Sequence, residues 1–155
     1  MTVPHFVHRA HRIRRQRGAT SVEFALVAAF GGFMVALFAA VEVARILFMM
    51  NSANEATELG ARVAIVCTPK SSKILARMKD VLPSIPDANV KIDYSPAGCA
   101  DGSVKAAQET CKSVTVSILP GWKVTATIPY VDFGFDMPAF TTTLPRESLD
   151  STTCT

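Results

Sequence analysis

Residues 17–66 read RGATSVEFALVAAFGGFMVALFAAVEVARILFMMNSANEATELGARVAIV. This stretch decides the fold. From Phe24 to Val41 it holds no charged or strongly polar residue. As a helix that run alone is ~27 Å long, close to the thickness of a bilayer's hydrocarbon core. It contains no proline, and neither does the remainder up to Val66. Beyond Val41 the pattern changes without a break. Glu42 and Arg45 stand three residues apart and so share a face. Met49, Ala56, Leu59, Val63 and Val66 then follow a spacing near 3.5, while Asn51, Glu55, Glu58 and Arg62 take another face. Glu58 and Arg62 are an i,i+4 pair in the favourable order. The reading is one helix from about Ala19 to Val66, ~70 Å long, apolar all round in its first half and amphipathic in its second. Pro69 marks its end.

Residues 1–18 are a basic leader. Arg9, Arg12, Arg14, Arg15 and Arg17 precede the apolar run, and no acid occurs before Glu23. The chain's net charge of +3 therefore misleads. With those five arginines set aside, the 13 Asp+Glu outnumber what is left of the 16 Lys+Arg. A basic flank beside an apolar span stays in the cytoplasm, so the expected orientation is N-terminus in and C-terminus out. The same membrane segment accounts for the charges, and a nucleic-acid partner is not expected. His5, His8 and His11 repeat every third residue, but no acid or cysteine completes a metal site, and they read as solvated leader residues.

The rest of the 155 residues form one small domain, 67–155. SSKILARMKDVL (71–82) reads as a short amphipathic helix with a serine cap, stopped by Pro83. The period then changes to two. Val90, Ile92 and Tyr94, then Val114, Val116 and Ile118, then Val124, Ala126 and Ile128 alternate with polar residues, as half-buried antiparallel strands do. Pro120-Gly121 marks a turn between the second and third. FTTTLPRESL (140–149) is a weaker fourth strand that Pro145 restricts to an edge or ends early. The expected fold is α+β: a long N-terminal helix, spanning a membrane over about 22–43, whose amphipathic half packs on an antiparallel sheet of three to four strands.

All four cysteines lie beyond the apolar run. An even number on the exported side fits disulfides in an oxidising compartment. Four cysteines allow three connectivities. The preferred one joins Cys99 to Cys111 across a Gly-containing loop, worth ~3 kcal/mol in the chain-entropy model. Cys67 and Cys154 then tie the C-terminus to the end of the long helix.

No motif for catalysis is present: no G-x-S-x-G, no H-E-x-x-H, no P-loop and no histidine after His11. No cofactor or metal is expected. Asp93, Asp101, Asp132 and Asp136 read as solvated acids. Trp122, Tyr130, Phe133 and Phe135 read as core or hairpin packing before an adhesive patch. Gly31-Gly32 reads as a close-packing point between membrane helices before a weak point for bending.

Glu23 is the anomaly. An uncleaved signal anchor would tolerate it near the interface, at less than the ~2.5–3.5 kcal/mol of a charge at the membrane centre. The spacing suggests more. If the chain is cut after Gly18, Ala19 becomes a new N-terminus and Glu23 its fifth residue. A basic leader ending in glycine, a small residue, then Glu, an aromatic at Phe24 and a long apolar helix resemble class III signal sequences of type IV pilin-like proteins. Together with Val22, Ala25, Glu42, Arg45, Ala56 and Gly60-Ala61-Arg62, the segment 14–66 resembles the TadE-like family of the tight-adherence, Flp-type pilus systems. The resemblance implies cleavage between Gly18 and Ala19 by a prepilin peptidase. It implies residence in a bacterial inner membrane with the outer domain in the periplasm. Its implied partners are other pilins and pseudopilins, the inner-membrane assembly platform and membrane lipid. It also implies that Glu23 neutralises the Ala19 ammonium of a neighbouring subunit during assembly. Phe24, where major pilins commonly have Tyr, and the domain that follows favour a minor pilin or pseudopilin that assists an adhesive pilus. The alternative is an uncleaved single-pass envelope protein whose outer domain scaffolds or binds a secretion-complex partner.

Overall fold

A computed structural model describes residues 16–128, 133–150 and 154. His5, His8, His11, Tyr130 and Asp132 lie outside the described residues. The chain is α+β and divides after Val41 into two compact units. A single helix, α1 (Gln16–Val66), belongs to both. It starts three residues before Ala19, within the leader, where Gln and Arg are good helix formers, and it runs through Gly18 although glycine is a poor one. The unit beginning at Glu42 adds α2 (Ser72–Val81), a 3-10 turn at Asp87–Asn89, β1 (Val90–Ser95), α3 (Val104–Thr110), β2 (Ser113–Ile118), β3 (Lys123–Thr125), β4 (Gly134–Asp136) and β5 (Phe140–Pro145). Ser71 caps α2 by accepting the Lys73 N–H, as the sequence suggests.

The sheet has three antiparallel strands in the order β1-β2-β5. Val114, Val116 and Ile118 are fully buried, and they alternate with half-buried Ser113, Thr115 and Ser117. The third expected strand corrects the sequence reading. β3 forms beyond the Pro120-Gly121 turn, where Gly121 has φ 95°, but it does not join β2. It pairs with β4 in a separate two-stranded ribbon, Val124 opposite Phe135. The reason is that β5 already occupies the second side of β2, from Ser113 opposite Pro145 to Ile118 opposite Phe140. Pro145 ends β5, as its missing N–H requires. A second correction concerns the loop between Cys99 and Cys111. It holds α3, capped by Ser103, whose hydroxyl accepts the Ala106 N–H at 3.2 Å.

The seam between α1 and the sheet is also displaced from the expected one. Ser52, Ala53, Ala56, Thr57, Gly60, Ala61, Ala64 and Ile65 are buried, whereas Met49, Leu59, Val63 and Val66 are half-buried flanks. Small residues win the centre because they let the helix backbone approach the sheet closely, and the bulky residues then close the sides. Asn51, Glu55, Glu58 and Arg62 face solvent as expected, and Arg62 pairs with Glu58. Trp122, Val124 and Met137 from the ribbon join this core. Phe135 packs on it from the side, and Phe133 remains exposed.

Gly60 marks the point of closest approach. A Cβ there would lie 2.7 Å from both Cγ and Sδ of Met78 and 3.3 Å from Cγ1 of Val116. Met78 is itself fully buried and has little room to retreat. Gly60→Leu is therefore expected to destabilise the domain by roughly 1–3 kcal/mol through overpacking, read as a fall in thermal unfolding temperature. An unchanged or raised temperature would contradict this close seam.

Candidate functional site

The first unit of the chain consists, among the described residues, of helix alone. Gly18, Ala19, Glu23 and Phe24 all lie in it, so the expected cleavage point and the carboxylate sit within about one and a half turns. Gly18 is exposed, and a Cβ added there would meet nothing within 4 Å. Glu23 is exposed, and among the described residues it forms no ion pair. Phe24 is 75% exposed. The apolar residues that follow are exposed on every face: Leu26, Val27, Phe30, Phe33, Val35 and Phe38 among them. Gly31 and Gly32 also border open space, and α1 continues through them.

This helix is long and apolar enough to cross a membrane, and its most apolar 18-residue window buries none of its surface within the chain. Each large apolar side chain left in water forgoes ~1.5–3 kcal/mol. A dozen such residues forgo more than the 5–15 kcal/mol that typically separates folded from unfolded domains. Lipid or neighbouring helices would take this area from water.

The second carboxylate of α1 behaves differently. Glu42 ends the all-round apolar run and is only 9% exposed. Its Oε2 accepts from Arg45 Nε at 2.9 Å and Nη2 at 2.8 Å. Its Oε1 accepts the Thr127 backbone N–H at 2.8 Å and the Thr127 hydroxyl. Arg45 Nη2 also donates to the Thr125 carbonyl at 2.6 Å. The i,i+3 pair visible in the sequence is thus half of a latch that fastens the β3 end of the ribbon to α1. The residues at its other half, Thr125 and Thr127, carry no sequence signal of the role, since a threonine in a strand ordinarily serves propensity alone. On the opposite side of this stretch Val43, Leu47 and Phe48 stay exposed.

At the far end of α1, Cys67 lies with Cys154 at a Cα–Cα distance of 4.7 Å. Cys99 and Cys111, which bracket α3, lie at 5.2 Å. Both pairs are at disulfide distance. The acids weighed in the sequence are drawn into surface ion pairs instead of a site: Asp93 with Lys91, Asp101 with Lys70, Asp136 with Lys123. No group of three or more His, Cys, Asp or Glu suited to a metal occurs among the described residues.

The stretch with this geometry, residues 18–62, matches the family model described as TadE-like protein. By this segment the chain is similar to TadE-like proteins. The match starts at Gly18, spans the uncovered helix and ends on the seam with the sheet. No curated protein and no solved structure matches the chain. TadE-like proteins are a structural family associated with tight-adherence pilus systems, and the uncovered helix fits a membrane-anchored pilin.

The Glu42 latch makes a measurable demand on the domain. Glu42→Ala leaves the Thr127 N–H and the Arg45 guanidinium without their acceptor. Hydrogen bonds to a charged group contribute ~1.5–3 kcal/mol each, so backbone exchange at Thr127 should accelerate at least tenfold in Glu42→Ala. An unchanged Thr127 exchange rate would show that the ribbon is held by its buried apolar residues alone.

Proposed function

We propose that the chain is a minor pilin or pseudopilin that assists assembly of a Flp-type adhesive pilus. A prepilin peptidase cleaves it between Gly18 and Ala19, at the cytoplasmic face of the inner membrane. The mature protein keeps α1 as its membrane anchor and carries its domain in the periplasm. There the two cysteine pairs oxidise, and the Cys67–Cys154 closure, enclosing most of the domain, contributes roughly 4–5 kcal/mol in the chain-entropy model. The anchor interacts with lipid, with other pilins and pseudopilins and with the assembly platform.

The observation that carries this reading is Glu23. Glu42 lies in the same helix with every one of its charges answered inside its own chain. Glu23 stands in the uncovered apolar part with no internal ion-pair partner among the described residues. A carboxylate in hydrocarbon is costly alone and acceptable when paired. Cleavage after Gly18 creates the missing cation, an ammonium at Ala19, on every neighbouring copy or companion subunit. Carboxylate and ammonium then report correct docking, since either is penalised without the other.

The test separates this pairing from mere tolerance of an acid near the interface. Glu23→Ala removes a charge from an apolar helix, which aids insertion or leaves it unchanged. If Glu23 pairs between subunits, the substitution strands the ammonium. Breaking a buried pair costs ~3–5 kcal/mol, two to four orders of magnitude in an association constant. Glu23→Ala and Glu23→Gln should both reach the membrane at normal levels yet fail to co-purify with pilin subunits. Normal co-purification of both variants would remove the assembly role of the carboxylate.

A further inference from the structure

The face of α1 that the domain leaves open changes character at a definite level. Val43, Leu47 and Phe48 are exposed on it, and beyond them Asn51, Asn54, Glu55 and Glu58 are exposed. Apolar surface thus continues past Glu42 as far as Phe48, about 9 Å further along the axis, before polar residues replace it. On the other side of α1 the ribbon of β3 and β4 changes in the same sense. Its contacts with α1 come in order: Thr127 with Glu42, Thr125 with Arg45, and Trp122 and Lys123 in one groove with Met49. β3 and α1 therefore run antiparallel, and each level of the ribbon corresponds to a level of the helix. Lys123 and Asp136, opposite each other and 3.9 Å apart, stand at the Met49 end. Toward the Glu42 end the ribbon carries no further charge among the described residues. Thr125 lies opposite Gly134, the Ala126 N–H is donated to the Phe133 carbonyl at 2.8 Å, and Phe133 is exposed.

Two surfaces on opposite sides of one helix that switch from apolar to polar at one level mark a planar boundary. A protein partner covers one side and sets no level on the other, whereas the surface of a bilayer crosses both. Both surfaces belong to the unit that begins at Glu42, and Val41, the residue before it, is the last of the apolar run. The charges on the apolar side of the boundary are treated as a low dielectric requires. Glu42 is nearly covered and accepts hydrogen bonds at both oxygens. Arg45 donates to Glu42, to the Thr125 carbonyl and to Met49 Sδ. In water a pair of this kind on a helix surface contributes little. Beside hydrocarbon, such complete satisfaction is what makes a pair tolerable.

We propose that the domain is partly sunk in the membrane surface. The Phe133 end of the ribbon, with Val43, Leu47 and Phe48 of α1, sits in the lipid interface, and the Lys123–Asp136 pair lies among the headgroups. This rests on the membrane anchor of the reading above and adds a lipid contact made by the domain itself. A bulky apolar side chain beside basic groups is the composition of segments that lie in the interface, where apolar area is buried at the boundary of headgroups and acyl chains.

The test uses the full chain reconstituted in vesicles of phosphatidylethanolamine and phosphatidylglycerol. These include a phospholipid with a photoactivatable diazirine near the top of one acyl chain, and labelled positions are read by peptide mass spectrometry. The peptides holding Phe133 and Phe48 should be labelled, as should the apolar run. The α3 peptide should not, although Val104 is also an exposed apolar residue. It lies toward the far end of α1, where Gln108 donates to the carbonyl of Leu149, whose own N–H bonds to Ile65. Phe133→Asp should lower the labelling of the ribbon peptide about tenfold, the order set by loss of one large apolar side chain, and leave that of the apolar run unchanged. Phe133→Ser should act in the same direction if the aspartate variant folds poorly. Label on the apolar run without label on the ribbon peptide overturns the sunken domain and leaves the anchor standing. Ribbon label insensitive to both Phe133 variants also overturns it. So does a ribbon that takes no lipid label in vesicles while a photo-cross-linker in place of Phe133 captures another pilus subunit in cells, since the tip is then a protein contact. Absence of label from the apolar run overturns the anchor reading, and this inference with it.

Discussion

Everything in this chain depends on what covers α1. The helix is continuous, but its side chains prescribe two surroundings. Before Glu42 large apolar residues point in every direction and none is covered by the chain itself. After Met50 the covered side is built of alanine, threonine and glycine, and the sheet comes down on it. Side-chain size therefore decides where the helix can be packed by its own domain. The small seam admits β2 and Met78 closely, whereas a face of phenylalanines presents area that only lipid or neighbouring helices can take from water. The TadE-like match covers both parts, which ties the family resemblance to this change of surroundings and not to hydrophobicity alone.

The two carboxylates of α1 make the same distinction in electrostatic form. Glu42, at the change-over, is answered by Arg45 and by Thr127 and needs no one else. Glu23 forms no ion pair among the described residues, in a part of the helix that is otherwise apolar and where an unpaired charge is penalised. Burying an ion pair rarely adds net stability, but leaving one member unpaired is heavily penalised. That asymmetry suits a device that selects partners more than one that strengthens a fold.

The sequence made the large features legible because they rest on periodicity and on residues with one physical consequence. The apolar run, the shift to amphipathic spacing, the Ser71 cap and the alternation of Val114, Val116 and Ile118 all reappear in the structure. The end of β5 at Pro145 does too. Three features were not legible. The seam was drawn by spacing through Met49, Ala56, Leu59, Val63 and Val66, of which only Ala56 lies at the buried centre, because close approach favours the smaller residues. α3 was hidden between Cys99 and Cys111, where a serine cap and an Ala-Ala-Gln run were weighed as loop. The separation of β3 from the sheet depends on β5 returning to the side of β2, a long-range choice that no local pattern encodes. At the candidate site, Gly18, Ala19, Glu23 and Phe24 were singled out by spacing alone, while Thr125 and Thr127 of the latch are visible only in three dimensions.

The central claim is that α1 is kept as the anchor of a mature protein whose first residue is Ala19. The direct measurement is N-terminal sequencing of the protein recovered from membranes of cells with an active prepilin peptidase, beside a Gly18→Leu variant. The account predicts that the native protein begins at Ala19 and that Gly18→Leu retains the basic leader, because a side chain at that position obstructs the backbone approach a protease cleft needs. A native protein that still carries residues 1–18, with the peptidase active on its other substrates, would contradict the account and leave an uncleaved single-pass envelope protein in its place.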